Sequence, residues 1–112
     1  MHGGPPPHIA APIRANDAPP EIVAVWFSRP AYRWGDVATI RLVASTNVAA
    51  VEMRFASYGR PLRRVGYGQF HGNYHVPLLP PFIRPRYAAP FQFIARNSFG
   101  RSQAVTASLL IR

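Results

Sequence analysis

The chain has no cysteine and no lysine, and it carries only four carboxylates, Asp17, Glu21, Asp36 and Glu52, in 112 residues. Without cysteine there is no disulfide framework, no thiolate nucleophile, and no thiolate-bound zinc or iron–sulfur cluster. Four carboxylates and four scattered histidines are thin material for acid–base or metal chemistry, so the expectation is a non-enzymatic protein with no cofactor and no metal. No uninterrupted apolar run approaches the ~20 residues of a membrane helix, which predicts no membrane span. The opening Met1-His2-Gly3-Gly4-Pro5-Pro6-Pro7 lacks the basic-then-apolar order of a secretory signal. The expected location, extracellular or on the surface of a cell or particle, is then reached either after a signal has been removed or by a route that needs none.

What the chain has in excess is arginine. All thirteen basic residues are arginine, and the formal net charge is +9 with a pI near 11.5. Such a surface attracts nucleic acid, anionic glycan or acidic protein at low salt. A GC-rich coding sequence produces the same arginine bias, so abundance alone says little; position along the chain is the better guide.

Composition changes near residue 20. Residues 1–20 hold Pro5, Pro6, Pro7, Pro12, Pro19 and Pro20 and few large apolar groups, which predicts an extended proline-rich arm that does not fold by itself. Residues 21–112 alternate apolar with other side chains in short runs punctuated by Gly, Pro and Asn, the period-two pattern of half-buried strands. Seven runs are countable, at 22–28, 37–45, 48–58, 62–65, 69–78, 88–97 and 102–111, and none has a helical period. The alternation sends Ile40, Leu42, Ala44, Val51, Met53, Phe55, Phe91, Phe93 and Ala95 inward, with Arg41, Glu52, Arg54, Gln92 and Arg96 outward. Seven such strands in so short a chain predict an all-β, seven-stranded antiparallel sandwich.

The run Phe91-Gln92-Phe93-Ile94-Ala95-Arg96-Asn97-Ser98-Phe99-Gly100 carries a more specific likeness. It resembles the penultimate strand and following turn of immunoglobulin-like domains, whose pattern is Tyr-x-Cys-x-Ala-x-Asn-x-x-Gly; Ala95, Asn97 and Gly100 match. Phe93 and Leu42 stand where that family has its paired cysteines, and Met53 near its core tryptophan. The chain is therefore most similar to cysteine-free, bacterial-type immunoglobulin-like modules. The resemblance implies a habit of binding or spacing without catalysis, and brings no catalytic residues with it.

If successive strands alternate direction, eight arginines collect at one end: Arg29, Arg33, Arg60, Arg63, Arg64, Arg84, Arg86 and Arg112. Trp34, Tyr32, Tyr58, Phe82 and Tyr87 come with them. Guanidinium groups among aromatic rings suit phosphate, sulfate or carboxylate oxygens, although loops are also where charges ordinarily sit. The candidate interaction residues are Arg29, Arg33, Trp34, Arg60, Arg63, Arg64, Arg84 and Arg86, with Pro5, Pro6 and Pro7 of the arm. The first functional expectation is a structural or adhesive module that assembles with itself, as oligomer or filament, or docks on a larger protein assembly through arm and loops. The alternative is a cationic module gripping a glycan or nucleic acid. If their strand is unbroken, His71 and His75 lie ~13 Å apart, too far to share a metal ion, whereas a turn at Gly72-Asn73 would bring them closer.

Overall fold

A computed structural model of the chain describes residues 9–112; Pro5, Pro6 and Pro7 lie outside the described residues. The protein is all-β, and its strands are β1 (Ile22–Phe27), β2 (Val37–Ala44), β3 (Val48–Phe55), β4 (Tyr58–Pro61), β5 (Arg63–Gly66), β6 (Gln69–His75), β7 (Tyr87–Asn97) and β8 (Ser102–Ile111). They form two packed antiparallel sheets in the orders β1-β2-β6-β5 and β4-β3-β7-β8. A single 3₁₀ turn, Pro81–Ile83, interrupts the connection from β6 to β7.

Alternation builds the core as the sequence predicts. Ile40, Leu42 and Ala44 of the first sheet and Val51, Met53, Phe91, Phe93 and Ala95 of the second are all buried. Phe70 and Leu109 join them, and Phe55 packs half-buried against the rim. Removing this apolar surface from water is the main force holding the sheets face to face, at about 25 cal/mol per Å².

Eight strands are present among the described residues where seven were expected, and the extra one arises at a turn. The long run at 48–58 is cut by a turn at Ala56 and Ser57, with Ala56 in the left-handed region (φ 51°), so that Tyr58–Pro61 folds back onto β3 with Phe55 opposite Tyr58. The chain then changes sheets at one residue. The Leu62 amide still donates to the Val51 carbonyl in the second sheet (2.8 Å), while Arg63 already pairs with His71 in the first. Gly72 makes the crossing possible, because a Cβ there would meet Leu62 Cδ2 at 2.3 Å. Leu62 seals the gap, buried between the layers.

Residues 11–20 lie against the body. The Thr46 amide donates to the Pro12 carbonyl (2.8 Å), the Arg14 amide to Thr46 Oγ1 (3.1 Å), and the Arg14 guanidinium pairs with Glu21. The Ala18 carbonyl accepts from both Asn47 Nδ2 (2.7 Å) and Asn97 Nδ2 (2.9 Å). Gly68, in the left-handed region at φ 69°, lets this segment approach, since a Cβ there would stand 2.5 Å from Ala11 Cβ and 2.2 Å from the Ala44 carbonyl oxygen.

Candidate functional site

Strand direction sorts the loops to two ends. At one end lie the β1–β2 and β6–β7 connections and the end of β8; at the other lie the β2–β3 turn, the β7–β8 turn and the amino-terminal segment. We call them the arginine pole and the arm pole.

Arg29, Arg33, Trp34, Arg84 and Arg86 belong to the arginine pole. Asp36 organises it: its Oδ2 accepts from Arg29 Nη1 at 3.1 Å and from the Arg33 amide at 2.9 Å. Tyr32 is buried beneath, and its hydroxyl bonds Ser28 Oγ (2.8 Å) and the Arg29 amide (3.0 Å). The guanidinium of Arg29 stands 5.8 Å from the Tyr32 ring centre. Tyr32 also lies alongside the end of β8, where its amide donates to the Leu110 carbonyl and its carbonyl accepts from the Arg112 amide, each at 2.9 Å. The loop of the first sheet is thus stitched to the edge of the second. Trp34 Nε1 donates to the Pro85 carbonyl (2.9 Å), which braces the β6–β7 connection against the β1–β2 loop, and Arg84 Nε donates to the Leu79 carbonyl (2.8 Å) within that connection.

That connection presents apolar side chains to solvent. Phe82 is 85% exposed, Leu78 75% and Ile83 49%. Side chains of this size left in water amid arginines mark an interaction surface more often than isolated exposed residues do.

Arg60, Arg63 and Arg64 do not join this pole, which corrects the expectation that they would. Arg60 sits mid-strand opposite Met53 on the outer edge of the second sheet; Arg63 pairs with His71 and Arg64 with Phe70 on the outer edge of the first. Arg64 lies over the Tyr67 ring at 4.8 Å, toward the arm pole. The reason is the pair of events at Ala56 and Leu62: the turn comes early and the chain crosses between sheets midway, so these arginines occupy strands along the flank.

The flank holds a cleft of about 570 Å³, lined among others by Tyr58, Arg60, Arg63, His71, Asn73 and His75. β5 pairs with β6 only as far as His71, whereas β2 runs on beside β6 to His75. Gly72 to His75 therefore have a strand neighbour on one side only among the described residues. His71 and His75 are on one unbroken strand and stay apart, as their spacing predicts. His71 Nε2 is enclosed with no hydrogen-bond partner among the described residues. Burial lowers the His71 pKa below its ordinary 6.5, and Arg41 and Arg63 on the neighbouring strands lower it further. Tyr74, on the same strand but facing inward, has its pKa raised, first by burial and then by Tyr58 and Tyr87.

Sequence reasoning missed two features. One is the cleft, which exists only because β4 and β5 belong to different sheets. The other is the paired asparagines that hold Ala18; Asn47 lies in one turn and Asn97 precedes another, where asparagine is ordinary, so no local pattern signals that both reach one carbonyl. Among the described residues no cluster of three or more His, Asp or Glu is placed to hold a metal ion, and no helix is long and apolar enough to cross a membrane. Compared with family models, with curated protein sequences and with solved structures, the chain matches none.

Proposed function

We propose that the protein is a non-catalytic, immunoglobulin-like structural or adhesive module that docks on further copies of itself through its poles, on a cell or particle surface. The fold reading is supported by the strand orders of the two sheets, by Phe93 and Leu42 lying buried where the family carries its cystine, and by Asn97 bridging the following turn. The observation that carries the docking reading is the exposed apolar group Leu78, Phe82 and Ile83 on a braced connection.

Charge selects the geometry. Two arginine poles facing each other bring Arg29, Arg33, Arg84, Arg86 and Arg112 against their own copies, with only Asp36 to offset them. The arm pole carries Asp17 and Glu21 alongside Arg14 and Arg101, so head-to-tail contact avoids this repulsion. Head-to-tail contacts either close into rings or run on as filaments.

Light scattering after size exclusion, over a range of protein concentration, tests the reading. Mass should rise with concentration and stay raised in about 1 M salt, where charges are screened beyond roughly 3 Å. Phe82→Ser should return the protein to monomer, with a melting temperature equal to that of the wild type at dilutions where the wild type is also monomeric. A wild-type chain that is monomeric at every concentration refutes the reading.

The second reading, capture of an anionic glycan or nucleic acid, is favoured by the convergence of Arg29, Arg33, Arg84 and Arg86 on one surface. It predicts retention on heparin that falls steeply with salt and is lost in Arg84→Ala/Arg86→Ala.

A further inference from the structure

We propose that the flank cleft is a docking site for an acidic, extended peptide, which adds as a strand to the uncovered end of β6.

The first support is the backbone. β6 is paired with β2 along its whole length, but β5 leaves it after the Arg63–His71 pair. From Gly72 to His75 the backbone groups on the far side lack a strand partner among the described residues. They border a cleft of about 570 Å³, within the roughly 300–1,000 Å³ range of ordinary binding clefts. An uncovered edge recruits another strand, because main-chain hydrogen bonds supply affinity without demanding a sequence. Most natural edges are blunted; this one is recessed between the sheets and flanked by β4, which shields it from casual pairing while leaving room for a single chain.

The second support is charge. Arg60 borders the cleft from the second sheet and Arg63 from the first, and His71 and His75 add imidazoles. None of the four carboxylates of the chain lines it. Glu52, the carboxylate on β3, is engaged by Arg54 Nε at 2.9 Å and lies 3.6 Å from Arg96 on the outer face of the second sheet. A partner bearing carboxylates meets attraction from both walls, and a basic partner is repelled from both.

The third support is alternation. His71, Asn73 and His75 point to the outer face, while Gly72 and Tyr74 face inward, where Gly72 offers no side chain and Leu62 and Met53 form an apolar floor. A strand laid beside β6 would put every second side chain outward, near Arg63 and the histidines, and the others inward over Gly72. The fitting sequence therefore alternates acidic with small apolar residues. The enclosed, unpartnered His71 Nε2 lies at the junction where such a strand would meet β5.

The test is a titration of the full chain, labelled with nitrogen-15, with an end-blocked hexapeptide alternating glutamate and valine. Binding should shift the amides of Gly72 to His75 and of Arg60, Leu62 and Arg63, and should slow hydrogen exchange on β6. Arg60→Ala/Arg63→Ala should weaken it by roughly tenfold or more. Two peptides probe the wild-type chain independently of any mutant's folding. A lysine–valine hexapeptide should fail to bind, and so should the glutamate–valine peptide N-methylated at alternate residues, which keeps its charge but cannot pair. Equal binding of the N-methylated peptide or of free glutarate overturns strand addition in favour of an anion site. Shifts confined to the arginine pole, or no binding at millimolar peptide, overturn the proposal altogether.

Discussion

Asn97 offers the sharpest test of how the amino-terminal segment is attached. Its side chain is only 4% exposed, and all its principal bonds are made. Oδ1 accepts from the amides of Phe99 (3.0 Å) and Arg101 (2.9 Å), and Nδ2 donates to the Ala18 carbonyl (2.9 Å). Asn97→Ala removes three hydrogen bonds, each contributing about 0.5–1.5 kcal/mol net. Phe99 and Arg101 are in an exposed turn, where water takes over their amides, and the Ala18 carbonyl keeps its bond from Asn47. The expected loss is therefore below the full sum, about 2 kcal/mol, read as a lower urea midpoint with an unchanged slope. Asn97→Asp separates the two roles. It keeps both acceptor bonds in the turn but sets a carboxylate against the Ala18 carbonyl, so residues 12–20 should exchange their amides faster and be cut sooner by protease, while β7 and β8 stay protected. Combining it with Asn47→Ala leaves the Ala18 carbonyl with neither donor, so the segment, still held at Pro12 and Arg14 by Thr46, should open more often. A loss under about 0.5 kcal/mol for Asn97→Ala, or unchanged protection of the Thr46 amide in the double variant, would refute this account.

Three further outcomes follow from the core and the flank. Phe93→Ala, at a fully buried position between the sheets, should cost about 3–5 kcal/mol in urea denaturation; a loss near 1 kcal/mol would mean the sheets close over the gap. Gly68→Ala should cost more than the ~1 kcal/mol of a simple glycine replacement, because its Cβ meets the Ala44 carbonyl and Ala11, and melting temperature reports it. Because the folded chain resists protonation of His71 and the unfolded chain does not, its contribution is fully present above the ordinary value of 6.5 and is lost as pH falls below it. Stability curves against pH should flatten there in His71→Gln.

The sequence by itself determined the class of the fold and the membership of the core. Alternation suffices for this because side chains two apart share a face whatever the neighbouring strands are, so Leu42, Met53 and Phe93 were assigned inward correctly from local pattern alone. It also placed Arg29, Arg33, Trp34, Arg84 and Arg86 at one end, since each lies in a connection between long, unmistakable strands. The extra strand escaped it, because Ala56 and Ser57 turn the chain without glycine, proline or asparagine to mark the place, and the left-handed backbone of Ala56 is tolerated only because β3 and β4 pair on either side. Nor does anything in Pro61-Leu62-Arg63 announce a change of sheet. Leu62 looks like any inward residue of a strand, and only the packed layers, with Gly72 vacating the space opposite, decide that its neighbours on the two sides belong to different sheets. That decision moved Arg60, Arg63 and Arg64 to the flank and opened the cleft. It required contacts between residues distant in the chain, which no local pattern of side chains encodes.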